Sequence, residues 1–168
     1  MIIRGKVLKL GDNIDTDLII PGRYLQITDF NELKKHIFED LGKEVAKKVK
    51  EGTIIVAGEN FGCGSSREQA PRVLKAAGVS AVIAKSFARI FFRNAINIGL
   101  PIFISKDFSE KVQDGSEIEI DTKSGVIRDL TTNNVFYFEP YPEFLESLIN
   151  SGGLVNFVRS YLSKKDRR

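Results

Sequence analysis

Cysteine and histidine are almost missing from this chain, with one of each in 168 residues, Cys63 and His36. A lone cysteine excludes an internal disulfide and agrees with a reducing compartment. The two potential ligands lie far apart in sequence, which argues against a self-contained zinc or iron–sulfur site. No residue is therefore assigned to a metal, and any metal in the chemistry draws most of its ligands from another chain. Surplus charge is lacking too. A net charge of +3 is too mild to point to nucleic acid. The lysines and arginines bunch at 34–52 and 159–168, as solvated faces do, and the second cluster reads as a frayed end. No apolar run reaches membrane-spanning length, and the opening MIIRGKVLKLGDN lacks a signal-peptide pattern. The expectation is a cytoplasmic protein that meets neither membrane nor nucleic acid.

What is present suits a packed domain. Hydrophobic residues make up 42% of the chain and charged residues 28%, enough for a core and a soluble surface, and the length fits one domain over 1–168. The run 2–10 reads as a strand, and 30–41, capped by Thr28 or Asp29, reads as a helix. From residue 53 a clear alternation begins. TIIVA (53–57) and VSAVIA (79–84) are continuously apolar, as strands buried on both faces are. LPIFIS (100–105) is a third short strand. Helices are predicted between them, over 66–78 and 86–99, with Ser86 capping the second and Gly78 and Gly99 as stops. Strand–helix alternation predicts parallel pairing. After residue 106 three alternating runs, 116–122, 125–130 and 134–140, predict antiparallel strands, with the N-terminal strand as a candidate neighbour. A last helix is predicted over 142–152.

The most informative stretch is GENFGCGSSREQAP (58–71), where the chain leaves a buried strand, turns through glycines and presents Ser65, Ser66, Arg67 and Glu68 together. In open α/β sheets ligands collect at the carboxyl ends of strands. A helix starting near Ser65 or Ser66 leaves free N–H groups and a positive dipole end there. Gly62 and Gly64 let the backbone approach a ligand, and Arg67 offers a planar fork to a carboxylate or phosphate. Plain N-capping by the serines is the competing reading, and Glu68 suits a first helical turn without further function. Two capping-competent serines plus an arginine exceed what a cap requires. The segment lacks the lysine of a Walker loop and does not read G-x-S-x-G. His36 lies on a lysine-rich helix and reads as exposed, against a Ser-His-Asp hydrolase. The residues alone thus define an anion-binding turn with a candidate catalytic hydroxyl.

Three phrases go further: DNIDTDLIIPGRY (12–24), GENFGCGSSRE (58–68) and KSFARIFFRNAINIGLP (85–101). In this order and spacing they resemble the small-subunit family of 3-isopropylmalate dehydratase, the swivelling domain of the aconitase superfamily, over nearly the whole chain. The resemblance implies an α/β fold, a three-layer β/β/α swivelling domain with a parallel central part and antiparallel strands. It implies a hydro-lyase that dehydrates and rehydrates a hydroxy di- or tricarboxylic acid, active only with a large subunit that carries a [4Fe–4S] cluster. This chain itself binds no cofactor on that reading. By resemblance, Ser65 is the base that removes a proton from carbon, and Ser66 and Arg67, with Gly64 in the same turn, bind substrate. Cys63 reads as a packing residue. Arg89 and Arg93, four apart, share a helix face and are left between orienting that turn, contacting the large subunit and lying at the surface. Asp12, Asp15, Thr16 and Asp17 read chiefly as local turn formers, with a cation site as the alternative.

Residues 22–28, GRYLQIT, occupy the position of the family's substrate-recognition loop. Family members acting on homoaconitate resemble it with an arginine in place of Gln26. Leu25 and Ile27 suit an isopropyl group better than a carboxylate, which is costly to bury unpaired. The expected substrates are 2-isopropylmalate and its 3-isomer, in leucine biosynthesis. Arg23 leaves room for a third carboxylate, so homoaconitate stays open, as do citramalate and dimethylmalate. The non-enzymatic alternative is a stand-alone module that binds a small anion. Self-association of the isolated small subunit is left open.

Overall fold

A computed structural model describes residues 1–167. Among the described residues the strands are β1 (Ile2–Lys9), β2 (Ile54–Ala57), β3 (Ala81–Ala84), β4 (Ile102–Ile104), β5 (Glu117–Asp121), β6 (Val126–Asp129) and β7 (Val135–Tyr137). The helices are α1 (Thr16–Ile19), α2 (Phe30–Leu33), α3 (Lys43–Lys48), α4 (Gln69–Ala76), α5 (Arg89–Asn97), α6 (Lys106–Lys111), α7 (Glu143–Asn150) and α8 (Leu154–Lys165). The strands form one mixed sheet in the order β4-β3-β2-β1-β5-β6-β7.

The parallel half runs from β1 to β4, with Val7 opposite Ile54, Ile55 opposite Val82 and Ile83 opposite Phe103. Strand β1 also pairs antiparallel with β5, Gly5 facing Ile118, so it belongs to both halves. Strands β2 and β3 are buried along their whole length, and alternate side chains enter two different cores. Ile55, Ala57, Val82 and Ala84 pack with Val73, Leu74, Phe91 and Ile96 on the helical side. Ile54, Val56, Ala81 and Ile83 pack with Ile118, Ile120, Ile127 and Phe136 of the antiparallel half. The reason lies in the strand order. Strands β1 to β4 follow one another in a single direction, so right-handed crossovers set α4 and α5 on the same face. The other face stays apolar, and the antiparallel half curls over it. The result is the three-layer β/β/α arrangement that the resemblance implied.

Several boundaries differ from the sequence-based expectation. The helix expected over 30–41 stops early. After α2 a 3₁₀ turn covers Lys34–His36, and Phe38 takes a left-handed φ of 55°. That turn buries Phe38 completely, and its N–H donates to the Ile19 carbonyl at 2.9 Å. Helix α4 begins at Gln69, after both serines, and α5 at Arg89, after Ser86. Gly78 and Gly99 do end their helices, with φ of 90° and 75°. Helix α6 was not anticipated. Most of the segment read as a frayed basic end is α8, whose first residues Leu154, Val155, Phe157 and Val158 carry a helical spacing that the later charges obscured. No helix among the described residues is long and apolar enough to cross a membrane.

Candidate functional site

The glycine turn leaves the carboxyl end of β2 and is held from both sides. On one side stands the loop after β1. The Asn13 N–H donates to the Glu59 carbonyl, the Gly62 N–H to that of Ile14 and the Thr16 N–H to that of Cys63, all between 2.8 and 2.9 Å. The Asp12 carboxylate accepts from the Glu59 N–H at 2.8 Å. The buried Thr16 hydroxyl donates to the Ser65 carbonyl at 3.0 Å. On the other side stands the loop after β3. The Phe61 N–H donates to the Ser86 carbonyl, and the Ala88 N–H to the Phe61 carbonyl, each at 3.0 Å. The Ser86 hydroxyl does not cap α5. It accepts from the Asn60 N–H at 2.7 Å and donates to Glu59 at 2.6 Å. Beneath the turn Phe61 meets Phe91 edge-on, with centroids 5.2 Å apart.

Gly62 has φ 82°, and a methyl group there would overlap the Phe91 ring. Its missing side chain admits that ring, and the residue also lines the cleft described below. Gly64 has φ 92°, and the two serines after it are exposed while Arg67 is half-buried. Glu68 occupies the cap position of α4 without a side-chain cap bond, and it pairs with Arg72. The capping reading of the two serines therefore fails, and both residues are exposed. Cys63 is half-buried, and its thiol is pushed above its usual value by burial and by the Asp15 charge. The 12–17 loop, read chiefly as local turns, straps the catalytic-looking segment from a distance. No short-range pattern announces that contact, which spans 49 residues between Thr16 and Ser65.

Above the turn lies a cleft of about 540 Å³. Ser65, Ser66 and Arg67 line one wall, and Arg89, Arg93 and Asn94 of α5 line the other, with Ile90 and Phe91 as apolar floor and rim. Arg89 and Arg93 thus share a face, as their spacing required, and both line the cleft as well as the neighbouring apolar hollow with Phe144 and Leu154. Among the described residues no carboxylate lines it. Guanidinium groups and free hydroxyls on an apolar base suit a small carboxylic acid.

The structure brings Gly64, Ser65, Ser66 and Arg67 together at the cleft, whereas Arg23, Leu25, Gln26 and Ile27 do not line it, and only Gly22 of that segment lies against the Arg67 guanidinium. Arg23 points to two carboxylates, donating to Asp40 at 2.7 and 3.0 Å and to Glu39 at 3.3 Å. Leu25 and Ile27 are half-buried against the helical core, and Gln26 is exposed. His36, read as simply exposed, stacks on the Tyr24 ring at 3.8 Å, and its Nδ1 lies 3.0 Å from Glu39. Hydrogen bonds from Tyr24, then His36 and Arg23, hold the Glu39 carboxyl below its ordinary range, and Arg23 does the same for Asp40.

The layering and the cleft define a class first: residues 42–107 match the family model of the aconitase C-terminal domain. A 3-isopropylmalate dehydratase small subunit of Caldicellulosiruptor bescii is 56% identical over 164 residues, 98% of this chain and 99% of that one. Its counterpart in Thermodesulfovibrio yellowstonii is 55% identical over 166 residues, covering 99% of both chains. The crystal structure of 3-isopropylmalate dehydratase from Methanocaldococcus jannaschii superposes with a TM-score of 0.94 at 46% identity, covering 99% of each chain. The chain belongs to the 3-isopropylmalate dehydratase small-subunit family, hydro-lyase subunits of the aconitase superfamily.

Proposed function

We propose that this chain supplies half of the active site that isomerises 2-isopropylmalate and 3-isopropylmalate through isopropylmaleate, in leucine biosynthesis. The observation that carries this reading is the cleft itself: Arg67, Arg89 and Arg93 line it together with two exposed serines, and among the described residues no carboxylate lines it, Asp17 pairing with Arg67 from outside. Two substrate carboxylates need such a set of fixed cations, and the Arg67 fork suits one of them bidentately.

In this reading Ser65 is the base. It takes the proton from the carbon beside the one that bears the hydroxyl. The C–H pair becomes the double bond as the C–O bond breaks, and the hydroxyl departs with its bonding pair and takes up one proton to leave as water, which balances the proton lost from carbon. The carboxylate next to the carbon acid carries charge as an aci-anion. Rehydration reverses these steps at the neighbouring carbon. Ser66 and Arg67 hold carboxylates, with Gly64 giving the turn its shape. A serine hydroxyl becomes a useful base only where water is excluded and nearby dipoles and cations favour its alkoxide. Ser65 is exposed in the lone chain, so a second polypeptide has to close the cleft.

The described residues do not fit an iron–sulfur cluster. The single thiol is raised by burial, and no group of three or more His, Cys, Asp and Glu is placed to hold a metal. We assign the [4Fe–4S] cluster to the large subunit, where it would assist departure of the hydroxyl. Exposed Ile90 on the cleft rim, and Ile104, Phe144 and Leu154 nearby, are apolar surface suited to that partner.

The 22–27 segment supports the choice of substrate: its one cation, Arg23, is already neutralised by Asp40 and Glu39, which favours an isopropyl group over a third carboxylate. The deciding experiment is anaerobic reconstitution with the large subunit against a panel of malate analogues. Turnover of isopropylmalate above citramalate, dimethylmalate and homoaconitate is expected, and turnover by neither isopropylmalate isomer would refute the assignment. In the same assay Gln26→Arg is expected to move the kcat/KM ratio toward the longer tricarboxylate by about tenfold, the scale of one charge-assisted hydrogen bond. An unchanged ratio would remove this segment from the specificity.

A further inference from the structure

One carboxylate stands behind the Arg67 fork. The Arg67 Nη1 donates to Asp17 Oδ1 and, at 3.5 Å, to the Ile20 carbonyl. The same Asp17 oxygen accepts the Gly22 N–H at 3.2 Å. Gly22 opens the recognition segment and lies tight against this pair. A Cβ built there would stand 3.2 Å from Arg67 Nη2 and 3.4 Å from Asp17 Oδ1. The element that carries Asp17 is firmly seated. Asp15 caps α1 by accepting the Leu18 N–H at 2.8 Å, and Ile19 and Ile20 are fully buried.

Stability does not explain the pair. The Asp17 side chain is 58% exposed against 18% for Arg67, and a pair open to water on its carboxylate side is screened and contributes little to folding. We propose that Asp17 is a positioning residue that couples the substrate carboxylate clamp to the recognition segment. This inference rests on the function proposed above. Its carboxylate fixes the guanidinium through Nη1, so that Nε and Nη2 present one edge to a substrate carboxylate. Through the Gly22 N–H the same oxygen ties that edge to residues 22–27, so the clamp and the specificity segment move together. Pre-orientation of a long side chain lowers the ordering cost of binding, and the effect is expected in KM more than in kcat.

The test compares wild type, Asp17→Ala and Asp17→Asn in the reconstituted holoenzyme. Asp17→Ala is expected to raise KM for isopropylmalate by roughly ten- to hundredfold, the scale of one lost charge-assisted hydrogen bond, with kcat changed by less than about threefold. It is also expected to narrow the kcat/KM preference between isopropylmalate and a longer tricarboxylate. Asp17→Asn keeps an oxygen acceptor for Arg67 and Gly22 and is expected to recover part of both losses. A second readout needs no activity. In the isolated chain the Arg67 guanidinium should show restricted rotation by NMR in wild type and free rotation in Asp17→Ala, at an unchanged urea midpoint. Unchanged KM and unchanged guanidinium rotation would overturn the proposal. So would equal losses in Asn and Ala variants with a lowered urea midpoint, since that pattern marks a structural residue. A wild-type holoenzyme inactive on every malate analogue would count against the proposed function, while the rotation measurement would still decide whether Asp17 holds Arg67.

Discussion

Ser65→Ala is expected to lower kcat of the reconstituted holoenzyme by about 10²- to 10⁴-fold, the range for losing a positioned general base. The size of the effect follows from what the hydroxyl is not used for. It does not cap α4, because Glu68 occupies that position, and it lies in an exposed stretch of the turn. The link that holds Ser65 in place runs through its backbone carbonyl, which accepts the Thr16 hydroxyl at 3.0 Å. Removing the side-chain oxygen leaves that link, both neighbouring loops and the aromatic support intact. The urea midpoint and the affinity for the large subunit are therefore expected to stay at wild-type values while turnover falls. Full turnover in this variant would end the assignment of Ser65 as base. A comparable fall in large-subunit binding would mean that the hydroxyl serves the interface instead.

Gly62→Ala is expected to destabilise the fold by about 2–4 kcal/mol, combining a left-handed backbone cost with overpacking of a filled core. The residue has φ 82°, and the added methyl would overlap the Phe91 ring. That ring is buried between α5 and the turn, so it yields only by moving α5. Helix α5 carries Arg89 and Arg93 into the cleft, and the substitution should raise KM as well. Gly64 gives the internal contrast. Its φ of 92° carries the same backbone cost, but the nearest atoms to an added methyl, on Asp15 and Thr16, would lie at ordinary contact, 3.5 and 3.6 Å. Urea unfolding of both variants checks this difference. Equal losses at the two positions would show that the Phe91 contact adds nothing.

These expectations draw on features with different visibility in the chain. The buried strands β2 and β3 were readable because four consecutive apolar residues, IIVA and AVIA, suit a strand covered on both sides. The stops at Gly78 and Gly99 were readable because a left-handed residue ends a helix and glycine adopts that conformation at least cost. The start of α2 was readable as well, since Asp29 caps it, but the starts of α4 and α5 were not. Ser65, Ser66 and Ser86 all look like caps, and Ser86 instead bonds across to Glu59 and Asn60. The partner of a hydroxyl depends on which loop lies beside it after folding. Helix α8 was hidden by Arg159, Lys164 and Lys165, whose charges outweighed the apolar positions on its other face.

Read as a string of residues, the chain determined its family, its buried parallel strands and the glycine turn at 58–68, because each depends on residues close together along the backbone. Only the tertiary structure decided what surrounds that turn. It set Arg89 and Arg93 across from Ser65 and Ser66, turned Arg23 away to Asp40 and Glu39, and brought Asp17 to Arg67 across 50 residues of chain. A hydrogen bond or an ion pair between distant residues has no periodicity to read. It exists only once a shared sheet has brought the carboxyl ends of β1, β2 and β3 to the same edge.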